Sequence, residues 1–330
     1  MKLSILDQAP RPSGIGAREA LQESMKLAQL GEKWGYTRYW IAEHHDLAGL
    51  TCSAPEVMLG YIGAHTERIR LGSGAVLLPH YQPYKIAETF NLLATLFPDR
   101  MDVGIGRAPG GSAEAAIALS GNFLEHVRHM PGSLKELLHF IHHDFPSDHM
   151  FSKVAASPLP EVPPHVWLLG TSEKSARLAA DNGIAYAFGH FMSEKDGPDI
   201  VNTYYQHFNP MGRLPQPNAI VAVSVICAET TEQAQQLALS EQMWKHQLAK
   251  GDGSNGIPSI EEAKDYFKGM EKGLHSGPQT VIGNPREVKE QLWNIQSLYQ
   301  ADEIMMVTIT NCFKDRARSY ELVAEEIFGG

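Results

Sequence analysis

The chain has 330 residues, of which 43% are hydrophobic and 20% charged, enough apolar material to bury the core of one large α/β domain. Its 28 Lys and Arg residues stand against 38 Asp and Glu, a formal net charge of −10, and the basic residues are scattered along the chain. Nucleic acid and anionic membrane surfaces need clustered cations, so both are excluded as expected partners and a small molecule is left.

The opening Met1-Lys2-Leu3-Ser4-Ile5-Leu6-Asp7 turns polar too soon for a signal peptide. Short apolar runs then alternate with longer helical patterns, the form taken by repeated βα units. Residues 2–8 read as the first strand, followed by a Pro/Gly loop and a helix over 18–34. Residues 39–42 are the second strand, running into Glu43-His44-His45-Asp46, and 55–65 is helical. Residues 70–78 are the third strand. The helix over 84–96 places Ile86, Phe90, Leu93 and Phe97 at apolar spacing, a stripe expected in the core or at a dimer interface.

Residues 100–105 form the fourth strand and lead into Gly106-Arg107-Ala108-Pro109-Gly110-Gly111. The stretch 112–164 mixes helix with loops. Residues 166–169 are the fifth strand, continuing through Gly170-Thr171-Ser172 into a helix over 173–182. Residues 184–189 are the sixth strand, with a helix over 193–208, and 219–228 the seventh, whose helix begins at Thr230-Thr231-Glu232. A Gly-rich, interrupted helical insertion covers about 250–278. Asn284 caps the helix 285–299 with Pro285 at its first position. Residues 303–308 are the eighth strand, and a helix over 315–328 follows.

Eight strands, each followed by a helix, predict a single (β/α)8 TIM barrel over 1–330, with insertions at about 112–164 and 235–283. A doubly wound open sheet is the competing arrangement. Cys52, Cys227 and Cys312 are odd in number, far apart and without a C-x-x-C pair, so neither a disulfide framework nor a zinc ribbon is supported. No apolar run reaches the roughly 18 residues of a membrane span. A cytoplasmic location is expected.

A barrel of this kind carries its site at the C-terminal ends of the strands. Those positions hold Asp7 and Gln8, His44 and His45, Gly74 to Pro79, Gly106 to Gly110, Gly170 to Ser175, and Gly189 to Phe191. The glycine spacing after the fourth strand is wrong for a dinucleotide fingerprint. A loop whose Arg107 offers its planar fork to a phosphate fits better. The junction Gly170-Thr171-Ser172-Glu173-Lys174-Ser175 brings hydroxyls and free amides to a helix N-terminus, an anion site when it is more than a cap. Alternation along the second strand sends His44 to the face of Trp40 and Ala42, and His45 to that of Ile41 and Glu43, so the two do not chelate one ion. His44 is then either a general acid or base or a structural hydrogen-bonding group. His139 and His143 have helical metal-pair spacing without supporting ligands, and with His142 and His149 they read as solvated surface; no metal is expected.

The segments Trp40-Ile41-Ala42-Glu43-His44-His45, Gly72-Ser73-Gly74-Ala75-Val76-Leu77-Leu78-Pro79 and Pro98-Asp99-Arg100-Met101-Asp102-Val103-Gly104-Ile105-Gly106-Arg107-Ala108-Pro109-Gly110 resemble the bacterial luciferase-like monooxygenases. With Leu3-Ser4-Ile5-Leu6-Asp7-Gln8 and Trp167-Leu168-Leu169-Gly170-Thr171-Ser172 the likeness narrows to the group 1 luciferase-family oxidoreductases, in the same order along nearly the whole chain. The resemblance implies an oxidoreductase that uses reduced FMN, supplied by a separate reductase, and dioxygen on a small organic substrate. His44 matches the histidine that serves the oxidation, Arg107 a ligand of the flavin phosphate, and Thr171, Ser172 and Ser175 its other phosphate contacts. Luciferase has a glutamate where Thr171 stands, and its reactive cysteine is replaced here by Gly106.

The resemblance further implies a cis peptide at Gly74–Ala75 under the flavin ring, and places His190 where luciferase carries a tryptophan near the flavin. It implies closure of the pocket by the insertion over 250–278 and a homodimer formed through helices near the second and third strands. Three alternatives remain. The first is hydride transfer with the deazaflavin F420, which related barrels perform. The second is flavin binding without catalysis, and the third is a metal hydrolase on the same fold.

Overall fold

The computed structural model describes residues 1–193, 195–251, 256–268 and 280–329. Its strands are β1 (Leu3–Asp7), β2 (Arg38–Ile41), β3 (Arg70–Ser73), β4 (Val76–Leu77), β5 (Met101–Gly106), β6 (His165–Gly170), β7 (Ala185–Gly189), β8 (Ala219–Cys227), β9 (Thr280–Gly283) and β10 (Glu303–Val307). All pairings between them are parallel. They run β1-β2-β3-β5-β6-β7-β8, and β10 closes the ring by pairing with both β8 and β1. This is the expected (β/α)8 barrel, with helices around it.

All eight expected strands are present, and two details differ. The third breaks after Ser73, where the Gly74–Ala75 bond is cis, and resumes as β4 against Ile105 and Gly106. The strand β9 has no counterpart in the sequence reading. It pairs with the end of β8 from Ser224 onward, a four-residue run too short to stand out beside a Gly-rich segment. The insertion expected over 250–278 lies partly outside the described residues. Its described part holds the helix Ile260–Phe267 and is tied to the first loop by main-chain bonds between Ile257 and both Arg11 and Ser13. Among the described residues no helix is long and apolar enough to cross a membrane.

Alternation along each strand sorts the apolar residues into two layers. Leu3, Ile5, Tyr39, Ile41, Val103 and Ile105 face the helices. Leu6, Trp40, Trp167, Ala185, Ile220 and Met305 fill the interior. The two indoles meet edge to face at 5.4 Å. Glycine makes room for them: a Cβ on Gly72 would lie 2.5 Å from Trp40 Nε1, and one on Gly104 would collide with the Ser73 carbonyl.

Below the indoles the barrel is sealed by ions. The Arg38 guanidinium donates to Asp102 at 2.6 Å and to both oxygens of Glu303 at 2.8 and 3.0 Å, and it lies over the Trp167 ring at 4.9 Å. Asp102 also accepts from Arg70 at 2.5 Å and from Trp40 Nε1 at 3.0 Å. Bidentate pairing of this kind is what makes burial of such charges tolerable. The interior of the barrel is thereby filled at its N-terminal end.

Candidate active site

Strand pairing decides which loop residues emerge together. Ile105 is in register with Leu168, so Arg107 and Thr171, each one residue past its strand, leave the barrel side by side. Ile41 is likewise in register with Ser73, which brings the His44 segment alongside Gly74 and Ala75. The interior shrinks toward this end. Above Trp40, Ala185 and Ile220 come Ala42, Ala187 and Ala222, and above Trp167 comes Leu169, with Gly74 just past β3 and Gly106 ending β5. A small-residue shelf above a packed core is a shape that admits a flat ring.

His44 lies three residues past β2, whose Trp40 belongs to the interior cluster and Ile41 to the outer one, with Ala42 just beyond it also in the interior cluster. Its main-chain N–H donates to the Cys52 carbonyl at 2.8 Å. Its Nδ1 is buried without a hydrogen-bond partner among the described residues. Burial, and secondarily the neighbouring His45, push the imidazole down to about 4, so it is uncharged near neutral pH. An uncharged ring with an unused buried nitrogen is equipped to accept or pass a proton. His45 donates Nε2 to Glu43 at 2.7 Å.

The loop of Arg107 is fixed while its side chain is not. The His45 N–H donates to the Gly110 carbonyl at 2.8 Å, and His80 Nε2 donates to the Pro109 carbonyl at 2.9 Å. Ser112 Oγ donates to Asp46 at 2.7 Å. Gly110 has φ +75°, and a Cβ on Gly111 would run into the His45 carbonyl. Arg107 is exposed, and it enters none of the salt bridges among the described residues. The surface ion pair that would be its ordinary use is missing from that set.

The helix Glu173–Asp181 starts beside it, capped by Ser172. The three hydroxyls expected to serve alike are not equivalent. Ser172 Oγ accepts from the Ser175 N–H at 3.3 Å, and Ser175 Oγ donates to the Ser172 carbonyl at 2.6 Å. These two hold the cap together. The Thr171 side chain makes no such bond among the described residues. Together with the first amides of the helix, which have no carbonyl a turn earlier, it is the better placed donor.

His190 sits on a short 3-10 turn after β7. Its Nδ1 lies 2.8 Å from the Tyr299 hydroxyl, and burial lowers its pKa. Asp7, another strand-end candidate, faces outward and pairs with Arg316 at 3.2 Å and with the Tyr39 hydroxyl at 2.5 Å. The histidine group before β6 is not uniformly solvated. His139 pairs with Asp144 at 2.7 Å, whereas His142 lines a cavity of about 420 Å³ at the barrel's other end with Arg70, His165 and Arg213. Among the described residues no three His, Cys, Asp or Glu side chains gather as a metal site.

Residues 1–300 match the family model described as luciferase-like monooxygenase. The chain belongs to this family. It is 42% identical over 326 residues to the uncharacterized protein YceB of Bacillus subtilis (strain 168), covering 98% of each chain. It is 34% identical over 333 residues to the N-acetyl-S-alkylcysteine monooxygenase of the same strain, covering 99% of this chain and 98% of the relative. The crystal structure of apo-MsnO8 superposes with a TM-score of 0.90 at 34% identity, over 99% of this chain and 98% of that one. At 17% and 12% identity the likeness is one of fold alone. These neighbours are the oxygenating constituent of 3,6-diketocamphane monooxygenase from Pseudomonas putida, in complex with FMN (TM-score 0.70), and an F420-dependent secondary alcohol dehydrogenase (TM-score 0.71). Their coverage is 99% of this chain in both cases, with 97% and 98% of the neighbour.

Proposed function

We propose that this luciferase-like protein is an FMN-dependent monooxygenase, a flavoprotein that takes reduced FMN from a separate reductase and uses dioxygen to oxidise a small organic substrate. The observation that carries the reading is the joint emergence, at one barrel mouth, of Arg107, the Thr171–Ser172 helix start and the buried Nδ1 of His44, neither Arg107 nor that nitrogen having a side-chain partner among the described residues. These groups fit a flavin. Arg107 with Thr171, Ser172 and Ser175 would hold its phosphate, and Gly74 and Ala75 would lie against the ring, with His44 and His190 on the substrate side. When bound, the reduced flavin supplies the electrons that activate dioxygen. The protein's own part is to seat it, to keep water out of the small-residue shelf, and to hold or move a proton at the uncharged imidazole of His44. The relative named for N-acetyl-S-alkylcysteine oxygenation makes thioethers the first substrates to assay.

Anaerobic calorimetric titration with FMN, reduced FMN and F420 tests the cofactor. Reduced FMN should bind in preference, and Arg107→Ala should weaken it roughly 10- to 100-fold, the worth of a charge-assisted contact to phosphate. Preference for F420 would replace the oxygenase reading with hydride transfer, and no binding of any of the three would sink both. Tight reduced-FMN binding with no oxygenation of any thioether or ketone panel would favour a flavin carrier.

A cytoplasmic homodimer goes with this reading. The helices Pro55–Gly63 and Pro83–Leu96 follow β2 and the β3–β4 strand. Their exposed side carries Val57, Tyr61, Leu92 and Leu96, with Val57 68% and Leu96 59% exposed. Each pair is four residues apart and so on one helical face, and such a contiguous apolar patch marks an association surface. The double variant Leu92→Glu, Leu96→Glu should elute as a monomer with light-scattering mass near that of one chain. A mass of two chains would move the interface elsewhere.

A further inference from the structure

Glu43 is buried at 3% exposure, directly before His44, and its carboxylate gathers three donors. His45 Nε2 lies at 2.7 Å and the Tyr81 hydroxyl at 2.8 Å on one oxygen, and the Leu77 N–H at 3.1 Å on the other. The donors come from different parts of the mouth. Leu77 follows the Gly74–Ala75 segment in β4, and Tyr81 lies on the turn beyond it. His45 continues from His44 and also holds the Arg107 loop, through its N–H to Gly110 and through its ring, since a Cβ on Gly110 would come within 3.4 Å of His45 Cδ2.

We infer that Glu43 is the positioning residue of the site: one buried carboxylate sets the strand end that carries His44, the β4 segment beyond Ala75 and, through His45, the loop that carries Arg107. This rests on the flavin reading given above for what the positioned groups then do. The chemistry demands a carboxylate. It accepts at both oxygens, whereas a glutamine turns an N–H2 toward either the Leu77 N–H or the His45 and Tyr81 donors and leaves a buried donor unmatched. Aspartate is one methylene short of spanning the three.

Two measurements on the full-length protein test this. Hydrogen exchange of the flavin-free protein, read by mass spectrometry, should quicken at residues 107–111 and at Leu77 in Glu43→Gln. Peptides from the barrel floor should keep their wild-type rate. The affinity for reduced FMN should fall about tenfold, as for one lost hydrogen bond to a charged group, and that fall should vanish in the Arg107→Ala background because both changes act through one loop. Unchanged exchange at 107–111, or affinity losses that multiply independently in the double variant, would overturn the inference. A lowered melting temperature with unaltered affinity would do so too, since it makes Glu43 a matter of stability alone. Wild-type protein that binds no flavin overturns the functional reading instead, and loop exchange then decides the role of Glu43 by itself. If Glu43→Gln does not fold, His45→Phe removes the same bond from the other side and keeps the ring, with the same outcomes expected.

Discussion

His44→Ala should leave reduced-FMN binding unchanged and lower turnover roughly 10²- to 10⁴-fold, the range contributed by a positioned proton-transfer group. Binding should survive because the proposed phosphate contacts, Arg107 and Thr171, follow β5 and β6, away from the segment after β2 that carries His44. Turnover should fall because the other histidines considered for the mouth are engaged: His45 with Glu43 and His190 with Tyr299. Normal turnover in the variant would remove His44 from the mechanism. The same residue predicts a pH signature. With its imidazole held at about 4 against about 6.5 in an unfolded chain, the folded protein binds fewer protons between those values. The stability from this group is complete above pH 6.5 and is lost as pH falls toward 4. Melting temperature should therefore drop more steeply over that window in wild type than in His44→Gln. Equal slopes would mean that the ring is not held neutral.

Asp102→Asn should destabilise the fold by about 3–5 kcal/mol, the cost of stripping a buried charge of its partner. Asp102 is fully buried and serves two arginines and an indole at once, so the variant leaves Arg38 with Glu303 alone and Arg70 with main-chain carbonyls. Urea unfolding followed by circular dichroism measures this, and a loss below about 1 kcal/mol, the ceiling for a surface pair, would show that the network is not the seal the geometry describes. Burial by itself raises the Asp102 carboxyl, but Arg38 and then Arg70 bring it below its usual range. Its contribution is therefore present above the ordinary value of about 3.9 and disappears as pH falls through the lower folded value. Acid unfolding of wild type should begin there, and the Asn variant should lack that step.

Much of this was legible in the residues. The apolar runs locate every barrel strand because each must fill an interior layer and a helix-facing layer, as Trp40 and Ile41 do on β2. The position of Arg107 one residue past a strand was legible too. What escaped depends on contacts between distant residues. Glu43 stands in a conspicuous motif, yet its partners at 45, 77 and 81 converge only after the barrel closes. The mutual capping of Ser172 and Ser175 had a local signal, a hydroxyl residue three positions after a cap, and the more open Thr171 follows from it. The apolar stripe over Ile86, Phe90, Leu93 and Phe97 packs in or against the core, the first of its two expected places. Phe90 and Leu93 are buried, while Leu92 and Leu96, which face outward, are the association candidates. Helical period fixes which residues share a face but not which face meets the barrel.

The filled floor of the barrel has a kinetic corollary. With Arg38, Asp102 and Glu303 locking one end and Trp40 and Trp167 packed edge to face above them, nothing passes along the barrel axis between these side chains, and a flavin seated as proposed would come and go on the side away from them. On the proposed function, whatever seats deepest would then arrive first and depart last, an order of events set by the plug beneath the site and needing no sensor to enforce it.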